Sequence, residues 1–320
     1  GAELRSALAR GIGDAKVKLV GSDATGAIIA EVDGEPVVMT SLDETTIAES
    51  RVVVLAGSAE SSLKAAELAR KAKTVPALID LSHALEDQPG MRLRAPMAET
   101  ASKDLTVQPM MSVAHPASIV LGAFLRSLHA VCPFKQAVAN VFEPVSERGR
   151  AGVEELHKQT IQLLQFKKPP QKVFDAQVAF NILARYGLES PNKLEAAAER
   201  IEKHLASLLG GQVPMPSMRV LQAPVMHGHG FSVWVELAET AGLPKLKKIF
   251  SKKPFDWWGE DLDAPTILSV AGQHEITIGA VEKDRNNNRA YWFWIVADNF
   301  LISSANALAL TNRVLAKVKK

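Results

Sequence analysis

Residues 112–126 read Ser112-Val113-Ala114-His115-Pro116-Ala117-Ser118-Ile119-Val120-Leu121-Gly122-Ala123-Phe124-Leu125-Arg126. A proline followed by about ten residues of amphipathic, largely apolar sequence marks a helix start. The spacing therefore predicts a helix over 116–129, with the free N–H groups of its first turn pointing outward. A buried helix start can hold an anion or activate a thiol. This chain places Pro116, Ala117 and Ser118 there, none of them a strong nucleophile.

Upstream, strands are predicted at 16–20, 28–32, 36–39 (across an Asp33-Gly34 turn), 52–56 and 76–81, with a helix at 60–71. Strands alternating with helices of this length predict βαβ units and a parallel sheet. The chain opens directly on a helix, Gly1-Ala2-Glu3-Leu4. A first strand, and the earlier glycines of a dinucleotide-type turn, are therefore expected to precede Gly1. Downstream, an alternating strand at 134–142 leads to a helix at 150–165 whose charges sit on a solvated side. Beyond the loop Lys167-Lys168-Pro169-Pro170 and an apolar stretch near Val178 comes a helix at 193–209. Strands follow at 219–224, 231–237, 266–270, 275–281 and 290–296, then a helix at 301–318. This mixture predicts an α+β domain whose half-buried sheet serves dimerisation.

Composition narrows the function classes. Thirty-seven Lys and Arg against thirty-five Asp and Glu leave a net charge of +2. That balance argues against a nucleic-acid or membrane partner. One cysteine excludes an intramolecular disulfide framework and fits a reducing compartment. No signal-peptide pattern or bilayer-length apolar run is present, so the expectation is a cytoplasmic protein.

The order of the blocks Ile79-Asp80-Leu81-Ser82-His83-Ala84, Ala114 to Ser118, Asn140 to Gly152 and Leu221 to Gly230 resembles the aspartate-semialdehyde dehydrogenase family. So does Trp294-Ile295-Val296-Ala297-Asp298-Asn299 followed by Ala305-Asn306-Ala307. The resemblance spans essentially the whole chain. It implies a Rossmann-like domain at 1–112, a catalytic and dimerisation domain at 113–299, a C-terminal helix at 300–320 packing back on the first domain, and a homodimer. The family uses NADP and phosphate to interconvert a semialdehyde and an acyl phosphate through a cysteine thioester.

Position by position, the resemblance puts the nucleophile at Ala117, which cannot form a thioester. Ser118 lies one residue further along with no evident base, and Cys132 is read as a small buried hydrophobe. The family's glutamine falls on Glu143, its substrate arginine on Gln222, its phosphate-binding arginine on Glu86 and its phosphate lysine near Ala197. Only the acid/base histidine is kept, as His229. Two charges ~4 Å apart at an effective dielectric near 20 interact by ~4 kcal/mol, so losing cations and gaining carboxylates opposes a doubly anionic substrate. Removing an attacking residue can cost on the order of 10⁶ in turnover.

Cofactor contacts are implied at Gly1, Ser22, Asp23, Gly57, Ser58 and Asn299. Asp23 would repel a 2′-phosphate and favours NAD over NADP; Gly57-Ser58 is also a good helix cap. His227 and His229, two apart in extended chain, share a face, with His115 and Glu143 in reach. No metal is assigned to them, because one of the pair is explained by the acid/base role. Trp257-Trp258 beside Phe255 is read as packing. The sequence thus predicts a dimeric homologue without the covalent chemistry, binding a small molecule or a partner. The alternative is an NAD(P)-linked oxidoreductase on another aldehyde or hydroxy substrate, using His229 and Glu143.

Overall fold

The computed structural model describes residues 2–21, 28–32, 35–99, 109–259 and 262–317. The chain divides into two units, Gly1–Ala114 with Ser303–Lys320, and His115–Ile302. Gly1, Ser22, Asp23, the Asp33-Gly34 turn and residues 318–320 lie outside the described residues.

The first unit contains α1 (Ala2–Gly11), β1 (Leu19–Gly21), β2 (Ile28–Val32), β3 (Glu35–Ser41), α2 (Glu44–Ala48), β4 (Val52–Leu55), α3 (Ala59–Lys71), β5 (Ala77–Asp80), β6 (Arg92–Arg94) and β7 (Met110–Val113). Its strands form two sheets. In one, β3 pairs parallel with β1 and antiparallel with β2; the other, in order β4-β5-β7-β6, is parallel throughout. The predicted βαβ character therefore belongs to the second sheet. Asp43 and Ser58 cap α2 and α3 by accepting from the N–H groups of Thr46 and Ser61, a contribution of about 1 kcal/mol each. Small buried residues on α3, Ala65, Ala66 and Ala69, let it close on Leu55 and Leu78 of the sheet. The short α2, β6 and β7 carry too few residues for a periodicity to show.

The second unit contains α4 (Pro116–Val131), β8 (Phe134–Glu143), a 3-10 turn (Val145–Arg148), α5 (Gly149–Leu164), α6 (Leu194–Leu209), β9 (Ser217–Gln222), β10 (His229–Leu237), α7 (Leu243–Phe250), β11 (Phe255–Trp257), β12 (Ile276–Lys283) and β13 (Ala290–Ala297). Its end runs into α8 (Asn299–Lys317). The six-stranded sheet has the order β11-β12-β13-β10-β8-β9. The helix α4 is not amphipathic as predicted: every residue from Pro116 to Leu125 is buried. A helix apolar all round is a core element. Phe124 of α4 meets Phe293 of β13 and Phe250 of α7, with ring centroids 5.0 Å apart in both cases. Burying such a ring is worth roughly 1.5–3 kcal/mol.

Residues 266–270 do not form the predicted strand. Thr266 and Ser269 bond each other's backbone N–H through their hydroxyls, at 2.8 and 3.1 Å, which closes a turn there. The helix α5 is likewise not simply solvated. Its buried face is Gly152, Glu155, Leu156 and Gln159, and the two polar members hold the irregular segment 165–193. Glu155 accepts from the N–H groups of Lys172, Val173 and Phe174 at 2.7, 2.8 and 3.3 Å. Gln159 donates to the carbonyls of Pro170 and Ala176 and accepts from the N–H groups of Val178 and Ala179. Long loops in compact units are functional more often than short ones. This one also pairs Leu183 with Gln222 on the edge of β9 and so sets the position of Tyr186.

Candidate functional site

The inward face of β8 delivers Ala137, Ala139, Val141 and then Glu143. The same face of β10 delivers Val235, Val233, Phe231 and then His229. Gly230 sits opposite Phe142, Glu143 opposite Gln222, and His229 opposite Ala297. Alternation within each strand therefore puts Gln222, Glu143 and His229 side by side at one end of the sheet. All three are buried, as are Ala117 and His115 at the start of α4. This brings four of the sequence-predicted residues, Ala117, Glu143, Gln222 and His229, into one unit with His115.

The start of α4 is closed by its own residues. The Nδ1 of His115 accepts from the Ala117 N–H at 3.2 Å, and the His115 N–H donates to Nδ1 of the buried His204 at 2.9 Å. The Ser118 hydroxyl donates to the Ile201 carbonyl on α6 at 2.8 Å. The expected outward-pointing first turn is thus a buried and capped one. With its Nδ1 accepting, the His115 ring presents Nε2 to Glu147, 3.2 Å from Oε2. Asn299 donates to Oε1 of the same carboxylate at 2.9 Å and accepts from the Gly228 N–H at 2.9 Å. Burial alone would raise Glu147, but His115, His229 and Asn299 hold its carboxyl well below the usual carboxylate range.

Glu143 has a different partner. Its Oε1 accepts from Nη2 of Arg148. Arg148 also donates from Nε to the Tyr186 hydroxyl at 3.0 Å and from Nη1 to the Glu147 carbonyl at 3.2 Å. Tyr186 in turn donates to Oε1 of Gln222 at 2.7 Å. The Gln222 amide donates to the carbonyls of Glu143 and Ala223 at 2.8 and 3.0 Å. The expected loss of cations from this cleft is therefore incomplete, because Arg148 from the 3-10 turn supplies a guanidinium that sequence alignment by position does not register. Burial pushes Glu143 upward and Arg148 partly counters it.

Among the described residues, two buried side-chain atoms here have no hydrogen-bond partner: Oε2 of Glu143 and Nε2 of His229. Burial pushes His229 down to about 4, against the pull of Glu147, so the imidazole is neutral at pH 7. Its ring lies edge-on to His115, centroids 5.8 Å apart, and stacks on Phe231. His227 goes elsewhere: Gly228 has φ +85°, which breaks the extended geometry, and His227 is exposed, its ring 5.0 Å from Phe300. Among the described residues no three His, Cys, Asp or Glu side chains are placed to hold a metal ion.

A family model described as "Semialdehyde dehydrogenase, dimerisation domain" matches residues 125–302, more than half of the chain. The chain belongs to the semialdehyde dehydrogenase family. A USG-1 protein homolog from Pseudomonas aeruginosa is 31% identical over 266 residues, covering 82% of this chain and 78% of that protein. An aspartate-semialdehyde dehydrogenase from Rickettsia bellii is 24% identical over 280 residues, covering 83% of this chain and 79% of that one. A solved structure described as a probable aspartate-semialdehyde dehydrogenase from Pseudomonas aeruginosa superposes with a TM-score of 0.83 at 25% identity, covering 98% and 95% of the two chains. The mixed α/β fold is thus that of the semialdehyde dehydrogenase family.

The remaining family positions fall on several elements. Glu86 belongs to the first unit, in the turn after β5 that Asp80 organises through the N–H groups of Ser82 and Leu85. Ala197 is buried on α6 and offers no charge. Gly57 and Ser58 are exposed between the carboxyl end of β4 and the start of α3, a geometry that fits a nucleotide. The Ser58 hydroxyl already caps the helix, so the fit rests on the backbone there. Asn299, expected at the cofactor, donates to Glu147 and Ser146 and accepts from the Gly228 N–H. Sequence reasoning missed Arg148, Glu147, Tyr186 and His204. For Arg148 the signal was its place five residues after an acidic residue at a buried strand end. Tyr186 carried none, because its contact depends on the whole loop.

Proposed function

We propose that this member of the semialdehyde dehydrogenase family is a dimer that does not run the NADP- and phosphate-dependent reaction its resemblance implies. Its role is then to bind a small molecule or protein partner in the cytoplasm, near amino-acid biosynthesis. The observation that carries this reading is the closed chain Glu143–Arg148–Tyr186–Gln222. Two of its members, Glu143 and Gln222, are the residues that the resemblance assigns to the family's glutamine and substrate arginine, and both bond the protein's own side chains. Beside it, Ala117 offers no sulfur, and the Ser118 hydroxyl is spent on Ile201. Incubation with aspartate semialdehyde, phosphate and NADP is expected to give no acyl phosphate and no NADPH; steady production of either overturns the reading.

A second reading is favoured by the unpartnered Nε2 of His229, a neutral imidazole able to accept a proton. NAD or NADP would be the hydride acceptor that this alternative needs. His229 would then take the proton from an aldehyde hydrate or a hydroxyl, with no thioester. Turnover that proceeds without phosphate separates this from the first reading.

The dimer contact we propose is the outward face of the six-stranded sheet. Trp234 opposes Trp292 on one side and Val138 on the other. Both indole N–H groups donate to Asp284, at 2.9 and 3.0 Å, leaving their ring faces free of polar demands. Val138 and Trp292 remain 40% and 39% exposed in the single chain. Aromatic residues with satisfied N–H groups are typical interface anchors. Trp292→Glu is expected to weaken the dimer by about 2 kcal/mol or more, roughly 30-fold in Kd, as read by sedimentation. An unchanged dimer would place the contact elsewhere.

A further inference from the structure

At the other end of α4 from His115, about 24 Å away by helix rise, lies a groove that the site described above does not use. It has a cavity of about 450 Å³ and is lined by Ser127, Val131, Lys245, Lys248, Ile249, Lys252, Lys253 and Phe255. The sequence behind it is Leu243-Pro244-Lys245-Leu246-Lys247-Lys248-Ile249-Phe250-Ser251-Lys252-Lys253. The chain as a whole is nearly neutral, at +2, so this concentration of one sign is local. Lys245 and Lys248, three apart on α7, lie on one side of the helix, and Lys252 and Lys253 follow just beyond its C-terminal end. All four lining lysines are exposed, and among the described residues no carboxylate lines the groove. Lys253 reaches Glu275 at 3.1 Å, at a largely exposed site, where such a pair contributes little. The floor is apolar: Val131 is 49% exposed, and Ile249 is partly so.

We propose that this groove docks an acidic peptide segment of a protein partner, one that carries an apolar side chain among its carboxylates. Charge complementarity selects the sign, and the Val131–Ile249 floor selects the anchor. Other anionic partners fit less well. A membrane surface would need the apolar face of α7, but Leu246 and Phe250 are fully buried against the core. RNA would call for exposed rings to stack on and arginines to fork phosphates; Phe255 is buried, and among the described residues no arginine lines the groove. Lysines suit carboxylates spread along a chain, since each is a point charge on a flexible stem.

The probe is a short fluorescein-labelled peptide of glutamates flanking a leucine and a phenylalanine, titrated with the full chain and followed by anisotropy. Saturable binding is expected, weakening with salt and falling by about tenfold or more in K248E/K252E. Both substitutions are at exposed positions, so the melting temperature should stay at the wild-type value. Lys247→Glu, exposed but outside the groove lining, should retain at least most of the affinity. The proposal is overturned by any of four results. These are no binding at about 1 mM protein, equal affinity for an all-glutamate peptide, equal loss in Lys247→Glu, or tighter binding of single-stranded RNA or phosphatidylserine vesicles that K248E/K252E removes.

Discussion

Arg148→Ala is expected to destabilise the protein by about 3–5 kcal/mol near neutral pH, the cost of leaving a buried charge without its partner. Glu143 is fully buried, and its ion-pair partner is Arg148. Removing the guanidinium also takes the donor from the Tyr186 hydroxyl and from the Glu147 carbonyl. The pH dependence follows from the direction of the Glu143 shift. Burial raises its pKa above the unfolded value, so between the two values the native state binds more protons and stability falls as pH rises. Without Arg148 the pKa moves higher and that window widens. The gap between variant and wild type should therefore be wide near neutral pH and close as pH falls below about 4, the ordinary glutamate range, where the carboxyl becomes protonated in both states. Glu147 and His229 lose stability on acidification in both proteins, and because Arg148 helps to depress His229, its removal lessens that loss and narrows the gap further at acid pH. A double variant, E143L/R148L, should recover most of the loss, since an apolar pair leaves no charge buried. A gap independent of pH would mean that Glu143 is not the group Arg148 serves.

Glu155→Ala should cost a similar amount, about 3–5 kcal/mol, because three backbone N–H groups lose their acceptor at once. Those of Lys172, Val173 and Phe174 all point at this one carboxylate. Phe174 is fully buried and sits edge-on to Tyr186 with centroids 5.2 Å apart. Loosening residues 172–174 therefore also releases the tyrosine that joins Arg148 to Gln222. Hydrogen exchange should show loss of protection concentrated in residues 170–190 and the 3-10 turn, with the sheet unaffected. A uniform loss of protection would argue that Glu155 supports the unit as a whole. Wild-type stability would argue that the loop is held mainly by Gln159.

The sheet and the start of α4 were legible from sequence because both depend on local pattern. Alternation along 134–142 and 231–237 is a period-2 signal, and Pro116 before an apolar run is a helix start. From the family blocks, Glu143, Gln222 and His229 could be expected in one cleft. The balance of that cleft could not. Position-by-position matching registered Gln222 and Glu143 as lost cation and gained anion, but Arg148 reaches Glu143 across a turn that matching does not weigh. Tyr186 reaches the site only because Glu155 and Gln159 bind the segment 165–193 through its backbone, and backbone contacts leave no trace in side-chain patterning. The stripe at 152, 155, 156 and 159 did carry a clue: two polar residues on a face at helical spacing with buried ones need buried partners. The shared face expected of His227 and His229 failed on one backbone angle, the positive φ at Gly228.

The measurement closest to the central claim is an assay of the purified protein, extended upstream of Gly1, with aspartate semialdehyde, phosphate and NADP or NAD. Reduced nucleotide and acyl phosphate are read separately. The account predicts neither product above the uncatalysed background, with or without phosphate. Reduced nucleotide formed without phosphate, and lost in His229→Asn, would contradict it in favour of the thioester-free oxidoreductase. Acyl phosphate formed in step with reduced nucleotide would contradict it outright, since the chain would then be running the family reaction with Ala117 at the nucleophile position.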